Sequence, residues 1–393
     1  MDSHCSKTPF INITEPNEYK QLIRTLARGK KSARSLTFLE SYQLIRGFYD
    51  NYASVTQLSV ALMLMRVKGE SAEEIAGAAM ALRTTVDGGW QQLDVDIDWP
   101  CYGAKRDQLP YLLLSAKLLA LQGYRILLHG DDSALPHRQH IAKFVNILGI
   151  NSVSTAEEAD AALKSAGICY VNADKLSRLV ISFSDIHKEL GLRSLFQSAI
   201  RCINPSNAAL SLRSYFHSGL GDIHFNVARL MAESDSQLRQ SKVAIFKGYQ
   251  GECELSPRTS AVINIFQLSG QRQINLPTQL DGLIGSKANA SELSPPWLSL
   301  LWLKLSFPSN NNGGHALDSP EAERAQAAVI TNVMAILMLL DSSIQIDVAK
   351  KMATTFWQQR HQSVSIKRVT QLNTQGRSQP NADSIGSGGK ACA

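Results

Sequence analysis

Five short apolar runs, most of them separated by segments of helical period, constrain this chain most. "LDVDIDW" (Leu93–Trp99), "YRILLHG" (Tyr124–Gly130), "GICYVNA" (Gly167–Ala173), "KVAIFKG" (Lys242–Gly248) and "SAVINIFQL" (Ser260–Leu268) read as strands. "LPYLLLSAKLLALQ", "STAEEADAALKSA" and "DIHFNVARLMAESD", lying between them, read as helices. Strands that alternate with helices predict an α/β layer with a mostly parallel central sheet.

The first third of the chain differs. Thr37 with Glu40 and Ser71 with Glu74 fit the capping box, in which each side chain satisfies an orphaned backbone N–H. Helices are expected near Thr37 to Asp50, Ser54 to Arg66 and Ala72 to Arg83, with the glycine of "VKGES" ending the second. The chain of 393 residues, 44% hydrophobic, is long enough to bury two unequal cores. The expected organisation is a flexible N-terminus at 1–18, a helical domain at 19–90 completed by about 173–197, an α/β domain at 91–172 and 198–369, and a disordered tail at 370–393. "AAVITNVMAILMLL" (Ala327–Leu340) falls short of the roughly 20 residues a bilayer span needs, so it is expected to be a buried helix, with no membrane partner. Six scattered cysteines without a Cys-x-x-Cys pair, and a polar N-terminus, point to a reducing cytoplasm.

Net charge is +6, and its distribution matters more than its total. Lys20, Arg24, Arg28, Lys30, Lys31 and Arg34 form one acid-free basic segment, and a second lies between Val348 and Ala382. Lys20, Arg24 and Arg28 recur every four residues, so on a helix they share one face. No Gly-x-Gly-x-x-Gly, P-loop or Gly-x-Ser-x-Gly motif occurs. Glu252 and Glu254 flank Cys253 after a strand, where paired carboxylates could hold Mg²⁺ or simply be solvated. Asp94, Asp96 and Asp98 alternate on one strand face, which should be wet unless a cation or partner is near. "DWPCYGAKRD" (Asp98–Asp107) occupies a strand-to-helix turn of the kind that often holds phosphate, yet it has one glycine among bulky and cationic residues.

Several stretches together resemble the anthranilate phosphoribosyltransferase family, whose fold also serves the pyrimidine nucleoside phosphorylases. "LMLMRVKGESAEEIAGAAMALR" (Leu62–Arg83) is similar to that family's third and fourth helices. "DIHKELGLRSLFQSAIRCINPSNA" (Asp185–Ala208) resembles its Lys-x-Leu-Gly-x-Arg-Thr-x-Phe-Asn run and the following Asn-Pro-Ala, and "YRILLHGDD" stands where the family has Lys-His-Gly-Asn-Arg. The resemblance runs from about Tyr19 to about Met352. It implies a small N-terminal helical domain, a larger α/β domain with a mostly parallel sheet, and a homodimer formed through the helices. It also implies a residual phosphoribosyl or substrate pocket at Gly103, His129, Gly130 and Arg193, with Arg193 matching the arginine that meets the anthranilate carboxylate, and a metal ligand at Glu254.

Departures from the family pattern set the functional expectation. Where those enzymes close a Gly-Thr-Gly-Gly-Asp loop on the diphosphate of phosphoribosyl diphosphate, this chain keeps only Gly103, and their Asp-Glu metal pair becomes Cys253 and Glu254. "ARGKKSAR" (Ala27–Arg34) and "YGAKR" (Tyr102–Arg106) resemble a divergent bacterial branch known for binding nucleic acids. The expectation is therefore a cytoplasmic homodimer that binds DNA and RNA by their phosphate backbones through Lys20, Arg24, Arg28, Lys30, Lys31, Arg34, Lys105 and Arg106, with stacking from Tyr102, Trp99 or Trp357 and no cofactor. The alternative is a pentosyltransferase that uses phosphoribosyl diphosphate or a nucleoside with Mg²⁺ through His129, Arg193 and Glu254.

Overall fold

Four N-terminal helices form a small bundle in the computed structural model, which describes residues 13–29, 32–131, 138–280, 293–304 and 320–361. They are α1 (Pro16–Ala27), α2 (Phe38–Tyr49), α3 (Val55–Lys68) and α4 (Ala72–Arg83). Both expected capping boxes form, and Ser54 with Gln57 makes a third at the start of α3. Glu74 does more than cap: it is buried, accepts from the Leu36 N–H at 2.9 Å and pairs with Lys68 at 2.9 Å, tying three segments together. Gly77 lets α2 and α4 touch, because a Cβ there would lie 2.2 Å from the Phe38 carbonyl oxygen. Lys20 and Arg24 face outward on α1 with Arg28 at its cap, while Leu22 and Leu26 are buried, as the four-residue spacing requires.

The chain continues through α5 (Gly88–Gln91), β1 (Ile97–Cys101), α6 (Leu112–Leu121), β2 (Ile126–Gly130), β3 (Asn151–Val153), α7 (Ala156–Ala166) and β4 (Ile168–Asn172). It then returns to the helical bundle with α8 (Ala173–Leu176), α9 (Leu179–Leu190) and α10 (Phe196–Ala199), where Phe183 stacks on Phe196 with centroids 4.5 Å apart. The remaining elements are β5 (Leu210–Tyr215), α11 (Leu220–Ser234), β6 (Lys242–Lys247), β7 (Ala261–Gln267), β8 (Gly270–Leu276), α12 (Pro295–Lys304), α13 (Pro320–Leu340) and α14 (Ile346–Gln359).

The eight strands form one sheet in the order β3-β4-β2-β1-β5-β6-β7-β8. All pairings from β3 to β6 are parallel, and only the β6–β7 and β7–β8 pairings at one edge are antiparallel. The fold is thus a small N-terminal helical bundle beside a larger α/β unit. From β1 the chain first builds outward through β2, β3 and β4 and then crosses back to β5, so the connections reverse direction around β1. In open α/β sheets a crevice opens at that point, beyond the carboxyl ends of the strands.

Alternation along β1 and β2 sorts their side chains between two cores. Ile97, Trp99, Cys101, Ile126 and Leu128 join a core with α6 and α13, whereas Leu127 lies in the core shared with the helical bundle. Helix α13 is longer than its apolar run suggests: Ala322–Leu340 has the length and hydropathy of a membrane span. It nevertheless lies in the first core, packed against α6 and α14, which accounts for its apolar composition on nearly every face.

Candidate active site

The alternation that places Trp99 in one core places Asp98 on the opposite face, toward the helical bundle. Asp98 is fully buried and is met by two donors. His129 Nε2 lies 2.9 Å from its Oδ1, and the Ser211 hydroxyl donates to Oδ2 at 2.7 Å. His129 Nδ1 is 2.7 Å from the Tyr102 hydroxyl. In the tautomer that donates Nε2–H to the carboxylate, Nδ1 carries the lone pair and accepts the tyrosine proton. Burial raises the Tyr102 hydroxyl well above its usual pKa, so it stays protonated. Donation then converges on Asp98, from Ser211 on one side and from Tyr102 through His129 on the other, and it leaves lone pairs on the Tyr102 oxygen to accept. The relay runs from Asp98 and Ser211, paired near the starts of β1 and β5, to His129 near the end of β2 and Tyr102 just past the end of β1. The alternating aspartates were expected to face water unless a cation or partner was near: Asp94 is exposed and Asp96 partly so, both paired with Arg125 just before β1, and only Asp98 is buried, sealed by its two donors.

The loop after β1 is gripped by the segment after β6. Gly103 packs on Gly251 so closely that a Cβ would lie 1.9 Å from the Gly251 carbonyl oxygen. Glu252 accepts from the Ala104 N–H at 2.9 Å and, more loosely, from the Gly103 N–H at 3.4 Å. Gln250 accepts from the Arg106 N–H at 3.1 Å. Lys105 is fully buried: its Nζ donates to Glu254 Oε1 at 2.8 Å and lies 4.2 Å from the centre of the Tyr249 ring. Glu254 Oε2 accepts from the Leu112 N–H at 2.9 Å. Burial raises the Glu254 carboxyl above its usual range, and Lys105 opposes that shift.

These contacts correct the expectation that Lys105 and Arg106 both reach a phosphate backbone, since only Arg106 is exposed. Lys105 is turned inward because an acid 149 residues away needs its charge. A basic track through Lys105 is therefore broken. Arg34 is paired with Glu40 at 2.6 Å, and Lys30 and Lys31 lie outside the described residues. Trp99 and Trp357 are core residues, so neither is placed to stack on a base. Gly130 ends β2 beside the Cys101 carbonyl oxygen, in register with Cys101.

Arginines from three separate segments lie near enough that the charges of Arg138 and Arg201 both act on Arg193. Arg138 Nη1 reaches the Ala104 carbonyl at 3.4 Å. Arg201 follows α10 and donates to the Gln197 and Ser214 carbonyls at 3.0 and 2.9 Å. Arg193, on the turn after α9, is exposed yet partly desolvated; that desolvation, then the charges of Arg138, Arg201 and Arg66, push its guanidinium below the usual pKa. Of these, the sequence pointed only to Arg193. Arg138 and Arg201 belong to no spacing pattern and meet only through the fold.

His224 on α11 lies behind this region. Burial and the charges of Arg201 and Arg213 push its pKa down to about 3. Folded His224 stays neutral where the unfolded side chain, titrating at about 6.5, takes up a proton. Its contribution to stability is therefore complete above about pH 6.5 and is lost as pH falls toward about 3, with a slope of at most about 1.4 kcal/mol per pH unit. Denaturant unfolding of the wild type and His224→Leu across that range should show the smaller acid loss in the variant.

The residues do not fit Mg²⁺. The Glu254 oxygens are taken by Lys105 and the Leu112 N–H, and the Glu252 oxygens by the Ala104 and Cys253 N–H groups. Cys253 is buried with its thiol pKa raised well above normal. Among the described residues, no three His, Cys, Asp or Glu side chains are grouped to hold a metal.

Residues 20–86 match the family described as "Glycosyl transferase family, helical bundle domain". Anthranilate phosphoribosyltransferase of Endomicrobium trichonymphae is 26% identical over 190 residues, spanning 47% of this chain and 55% of that protein. The Geobacillus stearothermophilus enzyme of the same name is 24% identical over 250 residues, 62% of this chain and 69% of that protein. The alignments thus span between about half and two-thirds of these relatives. Among solved structures, anthranilate phosphoribosyltransferase from Thermus thermophilus superposes with a TM-score of 0.60 at 18% identity, covering 87% of this chain and 95% of that one. The Saccharomyces cerevisiae enzyme in complex with PRPP and Mg superposes with a TM-score of 0.59 at 15% identity, covering 88% and 95%. These relatives overturn the expectation of a nucleic-acid-binding protein, and the inward turn of Lys105 removes part of its physical basis.

Proposed function

This chain has an anthranilate phosphoribosyltransferase-like fold, and on that premise we propose that its cleft binds a phosphorylated pentose or nucleoside and transfers the pentosyl group. The observation that carries this reading is the buried relay that leads from Asp98 through His129 to Tyr102, just past the carboxyl end of β1. Pentosyl transfer breaks the bond at the anomeric carbon, leaving positive charge on the sugar and negative charge on the departing group. Arginines held near that group stabilise the negative charge as it develops. Tyr102, whose own proton goes to His129, offers its oxygen to a sugar hydroxyl and so orients the ring.

We further propose a homodimer formed through the helical bundle. Val60 and Val67, one heptad apart on α3, are 45% and 88% exposed, and Ile181 on the neighbouring α9 is 50% exposed. Cytoplasmic residence is the matching proposal, supported by four buried cysteines that are free thiols.

The test is proton NMR of the anomeric signal, with the full chain mixed in turn with phosphoribosyl diphosphate and an aromatic amine, and with nucleosides and phosphate. Loss of the donor signal with appearance of a new anomeric product is expected. Tyr102→Phe should lower kcat/KM by about 10- to 100-fold, the cost of a lost hydrogen bond to a polar partner. Unchanged donors in every mixture would remove the reading.

A further inference from the structure

The relay and the gripped loop leave the positive charge around them unmatched. Arg138 has a buried Nε with no partner among the described residues, and its Nη1 meets only a carbonyl. Arg201 meets two carbonyls, which carry no charge. The charges that shift Arg193 are all arginines. Arg213 on β5, which acts on His224 together with Arg201, is 2% exposed, and its Nε and Nη1 have no partner among the described residues. Partly desolvated guanidinium groups repel one another and are costly unless an anion joins them.

The loop itself is not where that anion goes. Its Gly103 and Ala104 N–H groups already hold the Glu252 carboxylate, which stands where an incoming anion would have to bind. Lys105 likewise gives Glu254 the positive charge that a divalent cation would bring. Anion and cation positions of the loop are both filled from within the chain, which leaves the arginines. Several guanidinium forks suit a tetrahedral dianion with many acceptor oxygens better than a single carboxylate.

We propose that the cleft seats a phosphate group on Arg138, Arg193 and Arg201 without a divalent cation. The seat deepens the pentosyl-transfer reading only in assigning that phosphate to the sugar ligand; phosphate binding itself does not depend on turnover.

Calorimetry on the full chain tests this, with inorganic phosphate and ribose 5-phosphate as probes, each in excess EDTA and in excess Mg²⁺. Saturable binding of the same strength in both conditions is expected. Tighter binding of ribose 5-phosphate assigns the seat to a sugar phosphate, and equal binding assigns it to free phosphate; both uphold it. Arg193→Ala, at an exposed position that should not disturb folding, is expected to weaken binding about tenfold or more, and Arg201→Ala by a similar factor. Absence of saturable binding, binding only with Mg²⁺, or binding unchanged in Arg193→Ala would overturn the proposal. Phosphate binding without anomeric turnover removes only the transfer reading, and turnover without arginine-dependent phosphate binding removes only the seat.

Discussion

Lys105→Ala is expected to lower the unfolding free energy by about 3–5 kcal/mol, read from denaturant midpoints at constant slope. The variant removes a fully buried ammonium and leaves Glu254 buried without its counter-charge. Burial already pushes that carboxyl toward its neutral form, so the variant should also take up a proton at Glu254 more readily than the wild type. Replacing both partners distinguishes a broken pair from a general loss of packing. Lys105→Met with Glu254→Gln removes both charges and keeps an oxygen for the Leu112 N–H, so it should recover more than half of the loss. If Lys105→Ala changed stability by less than about 1 kcal/mol, the side chain would be solvated and the inward turn wrong.

Gly103→Ala is the second large effect, expected at about 2–3 kcal/mol. The clash is with backbone, at 1.9 Å from the Gly251 carbonyl oxygen and 2.2 Å from its carbon, so no rotamer change can relieve it. Residues 249–254 must move away, which pulls Glu252 from the loop N–H groups and loosens Glu254 from Lys105. Limited proteolysis should therefore cut the variant near residues 103 and 251 faster than the wild type. Equal cleavage of the two would show that the segments are not locked together.

The contrast between these two positions shows what the sequence could and could not reveal. Strand runs and capping boxes are local, so Thr37 with Glu40, Ser71 with Glu74 and the runs at β2, β4, β6 and β7 were legible. β3, β5 and β8 were not: β3 has three residues, β5 alternates Leu with Ser and Arg, and β8 is mostly polar at an exposed edge. His129 could be placed through a resemblance, but its partner Asp98 and the Ser211 that donates to Asp98 come from β1 and β5 and are joined only by the sheet. Lys105 read as a surface cation because the acid that buries it is far along the chain. Charge runs give the number of cations and not their direction, and direction decided between a basic track and an internal ion pair.

The most direct measurement for the whole account is the rate of pentosyl-donor turnover by the full chain in excess EDTA and again in excess Mg²⁺. Turnover that is present in EDTA, is unchanged by Mg²⁺ and falls in Arg193→Ala is the result predicted by a cleft whose cation position is filled by Lys105. Turnover that appears only with Mg²⁺, or in neither condition, would contradict it.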